Sequence, residues 1–175
     1  MTDRPEERKL VSELSEDRVA DLIFMHLRNM WAVDGLYYLG IEKRFGTEAA
    51  TDIDAEVWAV MGKIEARKLR KLFGLGNTLD DMVKGLKLSG WAMDLEDKVW
   101  EYHPGRTLLR NVECRVQNTR MKDGLPVFPC KKVRFGYLIA FAKEFNDKII
   151  VECDQCPPDE LEGDKWCQWT FRMKE

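Results

Sequence analysis

Apolar residues recur every three to four positions through the first half of the chain and alternate near its end. The first period belongs to amphipathic helices, the second to half-buried strands. Residues 1–14 are charged and read as a frayed tail. Ser15 is a suitable cap, with Glu16 and Asp17 behind it in a first turn. The predicted helix runs to about Arg44 and stops at Gly46. Its stripe is Val19, Leu22, Ile23, His26, Met30, Val33, Tyr37 and Ile41. A second helix is predicted from about Asp54 to Phe73, with Val57, Met61, Ile64, Leu69 and Leu72 on one side. Lys63, Arg67, Arg70 and Lys71 make its other side basic. Thr78 and Asp81 have the spacing of a capping box, so a third helix follows and ends near Gly90.

Beyond Gly90 the period changes. Trp91 to Leu95 alternates and reads as a strand, with Lys98 to Tyr102 as its hairpin partner. His103-Pro104-Gly105 is a turn, and Leu108 to Gln117 reads as a further strand. A short helix is expected over Gly136 to Phe145. Lys148 to Glu152 and Trp166 to Met173 are strand-like, the latter by strict alternation. The expected class is α+β: about three N-terminal helices over 15–90, packed with a cysteine-bearing module over 91–175 made of an antiparallel sheet and one helix. The two parts are expected to share one core.

Composition narrows the function classes. Of 175 residues, 34% are charged and 45% hydrophobic, and the formal net charge is −3. That balance does not point to a nucleic-acid partner. No run of about 18 apolar residues is present to span a bilayer, and Met1 to Lys9 lacks the apolar segment of a signal peptide. The expectation is a cytoplasmic protein whose cysteines are reduced.

Chemistry concentrates in those cysteines. All five lie late in the chain, at Cys114, Cys130, Cys153, Cys156 and Cys167. Cys153-Asp154-Gln155-Cys156 lets two thiolates from one turn reach one ion. If the final strand pairs with the Ile149–Cys153 strand, Cys167 returns close to Cys153. Cys130 or Cys114 then completes a set of four. The candidate metal set is Cys130, Cys153, Cys156 and Cys167, with zinc as the fitting ion. The residues leave two other readings open: buried free thiols, or catalytic and redox thiols. A thioredoxin-type site fits poorly, because Pro157-Pro158 after Cys156 prevents a helix from starting there.

A second candidate group is His26, Asp34 and Glu65, ionisable residues inside apolar stripes. Buried charges need partners, so these three can anchor a ligand or cofactor. The plainer alternative pairs Glu65 with Arg67 or Lys68 and gives His26 one internal hydrogen bond. Trp31, Tyr37, Tyr38, Trp58, Trp91 and Trp100 can line a pocket or simply form core. Lys131-Lys132-Val133-Arg134 reads as a solvated basic face. Amphipathic helices also allow pairing between chains, so a homodimer is one expectation.

Longer motifs carry a family resemblance. G-L-P-V-F-P-C (Gly124 to Cys130), F-G-Y-L-I-A-F-A (Phe135 to Ala142), C-D-Q-C-P-P-D (Cys153 to Asp159) and W-C-Q-W-T-F (Trp166 to Phe171) are its landmarks. With D-G-L-Y-Y-L (Asp34 to Leu39) and G-K-I-E-A-R-K-L (Gly62 to Leu69), the chain resembles a family of uncharacterised prokaryotic cytosolic proteins. Val151-Glu152-Cys153, Gly163-Asp164 and Cys167-Gln168-Trp169 are more distantly similar to the 4-vinyl reductase domain. That resemblance implies a small-molecule-binding, sensor-like module, although Cys156-Pro157-Pro158 is an insertion against it. The Cys167 to Lys174 segment resembles the end of L-2-amino-thiazoline-4-carboxylic acid hydrolases. It implies the alternative, a small-molecule hydrolase in which Cys153 or Cys130 attacks and His26 or Glu65 moves protons.

Overall fold

The computed structural model describes residues 4–163 and 165–174. Residues 1–37 form one compact unit and residues 38–175 another. In the first unit, helix α1 (Pro5–Ser12) occupies the stretch that its charge marks as frayed. Pro5 opens it without wasting a donor, and Glu6 and Glu7 favour its positive end. Helix α2 (Glu16–Phe45) follows, and the Arg18 N–H donates to Ser15 Oγ at 3.4 Å. No described residue up to Tyr37 is buried. The apolar stripe read from sequence is therefore a wet one in this unit: Tyr37 is 73% exposed and Val33 52%.

The second unit contains the end of α2 and everything after it. Tyr38 is buried and shares a 2.9 Å hydrogen bond with Thr51 Oγ1. Gly46 reverses the chain at φ +88°, which suits glycine. Helix α3 (Thr47–Phe73) starts at once, well before Asp54, because Thr47 bonds back to Glu42 Oε1 at 2.9 Å and alanines follow. Helix α4 (Leu79–Lys87) has the expected capping box between Thr78 and Asp81.

Next comes a correction. The alternating Trp91–Leu95 segment is not a strand; Gly90–Asp94 is a short helix, α5. Buried Ser89 caps it, its Oγ accepting from Ala92 N at 3.2 Å. Strand β1 (Asp97–His103) pairs instead with β2 (Arg106–Glu113) through the Pro104-Gly105 turn. The stretch after Glu113 leaves the sheet and forms α6 (Arg115–Lys122). Helix α7 (Cys130–Lys143) begins ahead of Gly136, followed by β3 (Ile149–Gln155) and β4 (Cys167–Met173).

The four strands form one antiparallel sheet in the order β1-β2-β4-β3. Leu109 faces Trp169 and Thr107 faces Phe171 across β2 and β4, while Val151 faces Phe171 and Cys153 faces Trp169 across β3 and β4. Partners opposite one another share a face, so this buried face carries both cysteines of the paired strands. Helix α7 lies against β3 on one side and against α3 on the other. The helix pair is close because Gly62 has no side chain: a Cβ there would stand 2.5 Å from the Tyr137 carbonyl oxygen. Tyr137, Leu138 and Phe141 are fully buried in the layer, each worth about 1.5–3 kcal/mol of apolar burial. The architecture is α+β, as the periodicity predicts.

Candidate functional site

Helix α7, strand β4 and the end of β3 carry Cys130, Cys167 and Cys153. A bulge between Cys153 and Gln155 breaks the β3 register and turns the chain toward Cys156. The segment after it is held from several sides. The Asp159 N–H donates to the Cys156 carbonyl at 3.0 Å, and the Cys156 N–H to Asp159 Oδ2 at 3.3 Å. Gln155 is buried and braces the return, donating to Lys165 O at 2.9 Å and accepting from Glu162 N at 3.2 Å. The Lys131 N–H, in the first turn of α7, donates to Pro157 O at 2.8 Å. Lys131 Nζ holds both Asp159 oxygens, at 2.8 and 2.9 Å. The first turn of α7 is thereby tied to the Cys156 loop.

The approach to Cys130 is equally fixed. Buried Gln117 of α6 clamps Phe128 twice at 2.8 Å, through Nε2 to the carbonyl and through Oε1 to the N–H. Arg120 Nε donates to Pro126 O at 2.7 Å, and the Phe128 ring meets Tyr38 edge-on at 4.8 Å. Cys130 is thus presented as the first residue of α7, where the helix dipole favours a thiolate.

Cys153 and Cys167 share one sheet face, and Cys130 opens the helix whose Lys131 N–H is tied to the loop after Cys156. Sharing its proton with Cys130 first, then Cys153 and Cys167, and sitting fully buried, the Cys156 thiol is pushed far up. The same hydrogen bond from Cys156 pulls the Cys130 thiol down against burial, and Arg134 assists by charge and by its own hydrogen bond. Cys153 is pulled down by Cys156 and then by the charge of Lys131. Cys114 stands near Cys130 and Cys167 but remains a thiol, pushed up to about 12 by burial. All five cysteines are free. Among the described residues, no group of three or more His, Cys, Asp and Glu side chains forms a ready cage for a metal ion. Any metal bound by these thiols has to displace their protons.

Arg134 corrects the sequence reading of Lys131 to Arg134 as a solvated basic face. It is 5% exposed and lies over Trp91, Tyr137 and Trp58 at 4.7, 5.0 and 5.4 Å. Lys131 and Lys132 are engaged as well, with Asp159 and Asp52. The spacing of Cys130 and Arg134, one helical turn, was a usable signal once the helix is known to begin at Cys130. Gln117 and Gln155, the braces, have no such signal.

The second candidate group resolves differently. His26 is exposed on α2 and Asp34 half-buried, both within residues 1–37. Glu65 belongs to the other unit, where its carboxylate accepts from Tyr137 Oη and from Gly90 N, each at 2.7 Å. Its partners are therefore neither Arg67, which binds Glu144 at 2.8 Å, nor Lys68. Both oxygens are occupied in holding α3 to α7 and α5. Of the aromatic set, Tyr38, Trp58 and Trp91 are core, and Trp100 lies under Lys87 at 5.4 Å.

Among the described residues, no helix is long and apolar enough to cross a membrane. No curated protein and no solved structure matches the chain. A family model does, over residues 11–173, spanning both units and all the cysteines. The chain belongs to that family, a family of unknown function designated DUF6125.

Proposed function

We propose that this protein binds one thiophilic metal ion, zinc by preference, through Cys130, Cys153, Cys156 and Cys167. The reading rests on two observations: Cys153 and Cys167 lie on one sheet face, and the Lys131 N–H bond to Pro157 O ties the start of α7, next to Cys130, to the Cys156 loop. Four sulfurs with no nitrogen or carboxylate among them suit a d¹⁰ ion in tetrahedral coordination. A four-thiolate shell leaves no open position, so the ion is structural or sensing and does not activate water. Metal entry requires loss of the thiol protons, and occupancy would lock the start of α7 to β4 and to the loop after β3. Arg134 and Lys131 supply positive charge beside the thiolates.

Two variants test it. Cys156→Ser should lower metal content from about one ion per chain to under about 0.2, because structural thiolate sites fill nearly stoichiometrically. Cys114→Ser should keep the full content. Equal content in both variants removes the proposal.

A second reading has one observation of its own. Cys130 has the lowered thiol, the helix N-terminus and Arg134 that a nucleophile uses. In that case Cys130→Ser abolishes hydrolysis of an aminothiazoline carboxylate while the melting temperature stays unchanged. Loss of stability together with metal separates the first reading from this one.

A further inference from the structure

Two buried polar atoms of the second unit lack hydrogen-bond partners among the described residues: Asn111 Oδ1 and Trp169 Nε1. Asn111 is 1% exposed and Trp169 0%, so bulk solvent does not serve them. Buried polar groups are almost always paired, and each one left alone costs more than an ordinary hydrogen bond contributes. Two orphans on one sheet face therefore call for a bridging group.

Strand register sets the two side by side. Across β2 and β4, Asn111 stands opposite Cys167 and Leu109 opposite Trp169. Opposed residues share a face, so Asn111 and Trp169 are diagonal neighbours on the buried one. Diagonal neighbours are roughly 7–8 Å apart, still within reach of an aromatic side chain. Two hydrogen bonds in series through one small molecule span roughly 5–6 Å, which fits that separation.

The chemistry of the two ends selects the molecule. An indole N–H only donates, and an amide oxygen only accepts. Whatever joins them must accept from one and donate to the other. An anion has nothing to donate to Oδ1. A metal ion or an ammonium cannot accept from Nε1, and half-buried Lys98, opposite Asn111 on β1, already brings a positive charge to this face. A neutral hydroxyl does both. Around it stand apolar neighbours, Leu109 and the Phe135 ring of α7, which stacks on Trp169 at 6.0 Å. A closed place of this kind suits the smallest hydroxylic molecule, water. Cys167, opposite Asn111 and two residues from Trp169, offers a third and weaker partner. We infer that one water molecule is built into the α7 side of the sheet, accepting from Trp169 Nε1 and donating to Asn111 Oδ1. The site stands on these two atoms whether or not the cysteines hold a metal.

Nuclear magnetic resonance on the full-length chain, with its six tryptophans nitrogen-labelled, tests it. The Trp169 indole proton, assigned by through-bond connectivity, should show a rotating-frame Overhauser peak to water, opposite in sign to the diagonal. Asn111→Leu should remove that peak. By stranding the indole it should also lower the folding equilibrium constant at least about tenfold in urea titration. Asn111→Leu with Trp169→Phe takes away both polar ends and should lose clearly less than the product of the two single variants. If Asn111→Leu does not fold, the wild-type spectrum still decides. Absence of the peak at Trp169 overturns the inference, as does a peak with the sign of the diagonal, which marks exchange with open solvent. So does a peak that a folded Asn111→Leu leaves unchanged, or a crystal structure in which Nε1 donates directly to Oδ1.

Discussion

Glu42 and Arg120 show how much one pair can carry. Their side chains are 13% and 7% exposed, and the guanidinium meets the two carboxylate oxygens at 2.9 and 3.0 Å. The Arg120 hydrogen bond holds the Glu42 carboxyl below its ordinary range against the effect of burial. Glu42→Gln leaves Arg120 buried without its counter-charge, so a loss of about 3–5 kcal/mol is expected in urea unfolding at pH 7. The sign with pH follows from the depressed value. The contribution is full above the unfolded carboxylate pKa of about 4.3 and disappears as pH falls through the lower folded one. The gap between wild type and variant should therefore narrow sharply at pH 3; a gap that stays constant contradicts the assignment. This pair was not legible in the sequence. Its members are 78 residues apart, and a charge pair at that distance leaves no periodic trace. The same holds for Glu65, whose nearest charges in sequence proved not to be its partners. The pairing that sets Cys153 and Cys167 on one face was legible, because the two final strand patterns predict it.

Local pattern was a good guide to elements wherever the apolar period ran long. The helices α2, α3 and α4 and the strands β3 and β4 follow from it, and the Thr78–Asp81 box marks one start to the residue. Five alternating residues were too few to separate a strand from a turn and a half of helix, and the Ser89 cap decided for α5. Ser89→Ala should cost about 1 kcal/mol, read as a lower urea midpoint with an unchanged slope. Helix α6 was invisible because its buried residues are Gln117 and Arg120, so it has no apolar stripe to detect. Helix α7 hid its first turn behind charges, one of which is buried. The α3–α7 contact makes its own prediction. Gly62→Ala forces a Cβ onto the Tyr137 backbone, where nothing flexible can yield. A loss of about 1–3 kcal/mol is expected, whereas Gly35→Ala, with open space at its Cβ, should be neutral or slightly stabilising. Equal melting temperatures for the two variants would contradict the close approach.

The whole molecule is organised around where β4 sits. Placed between β2 and β3, it brings Cys167 to the face that carries Cys153. The Lys131–Asp159 tie and the Lys131 N–H bond to Pro157 O join the start of α7, which carries Cys130, to the Cys156 loop. Backbone and side-chain hydrogen bonds brace every segment that carries one of these sulfurs, including the clamp of Gln117 on Phe128 and the two bonds of Gln155. Bracing of this density around thiols is what a ligand shell needs, since ligands must be held before the ion arrives. X-ray absorption at the zinc edge, on wild-type protein purified without chelators and assayed for metal content, tests this most directly. The account predicts about one zinc per chain with four sulfur neighbours at about 2.3 Å. Metal-free protein in which all five cysteines react as free thiols in denaturant, or zinc bound by nitrogen and oxygen alone, would contradict it.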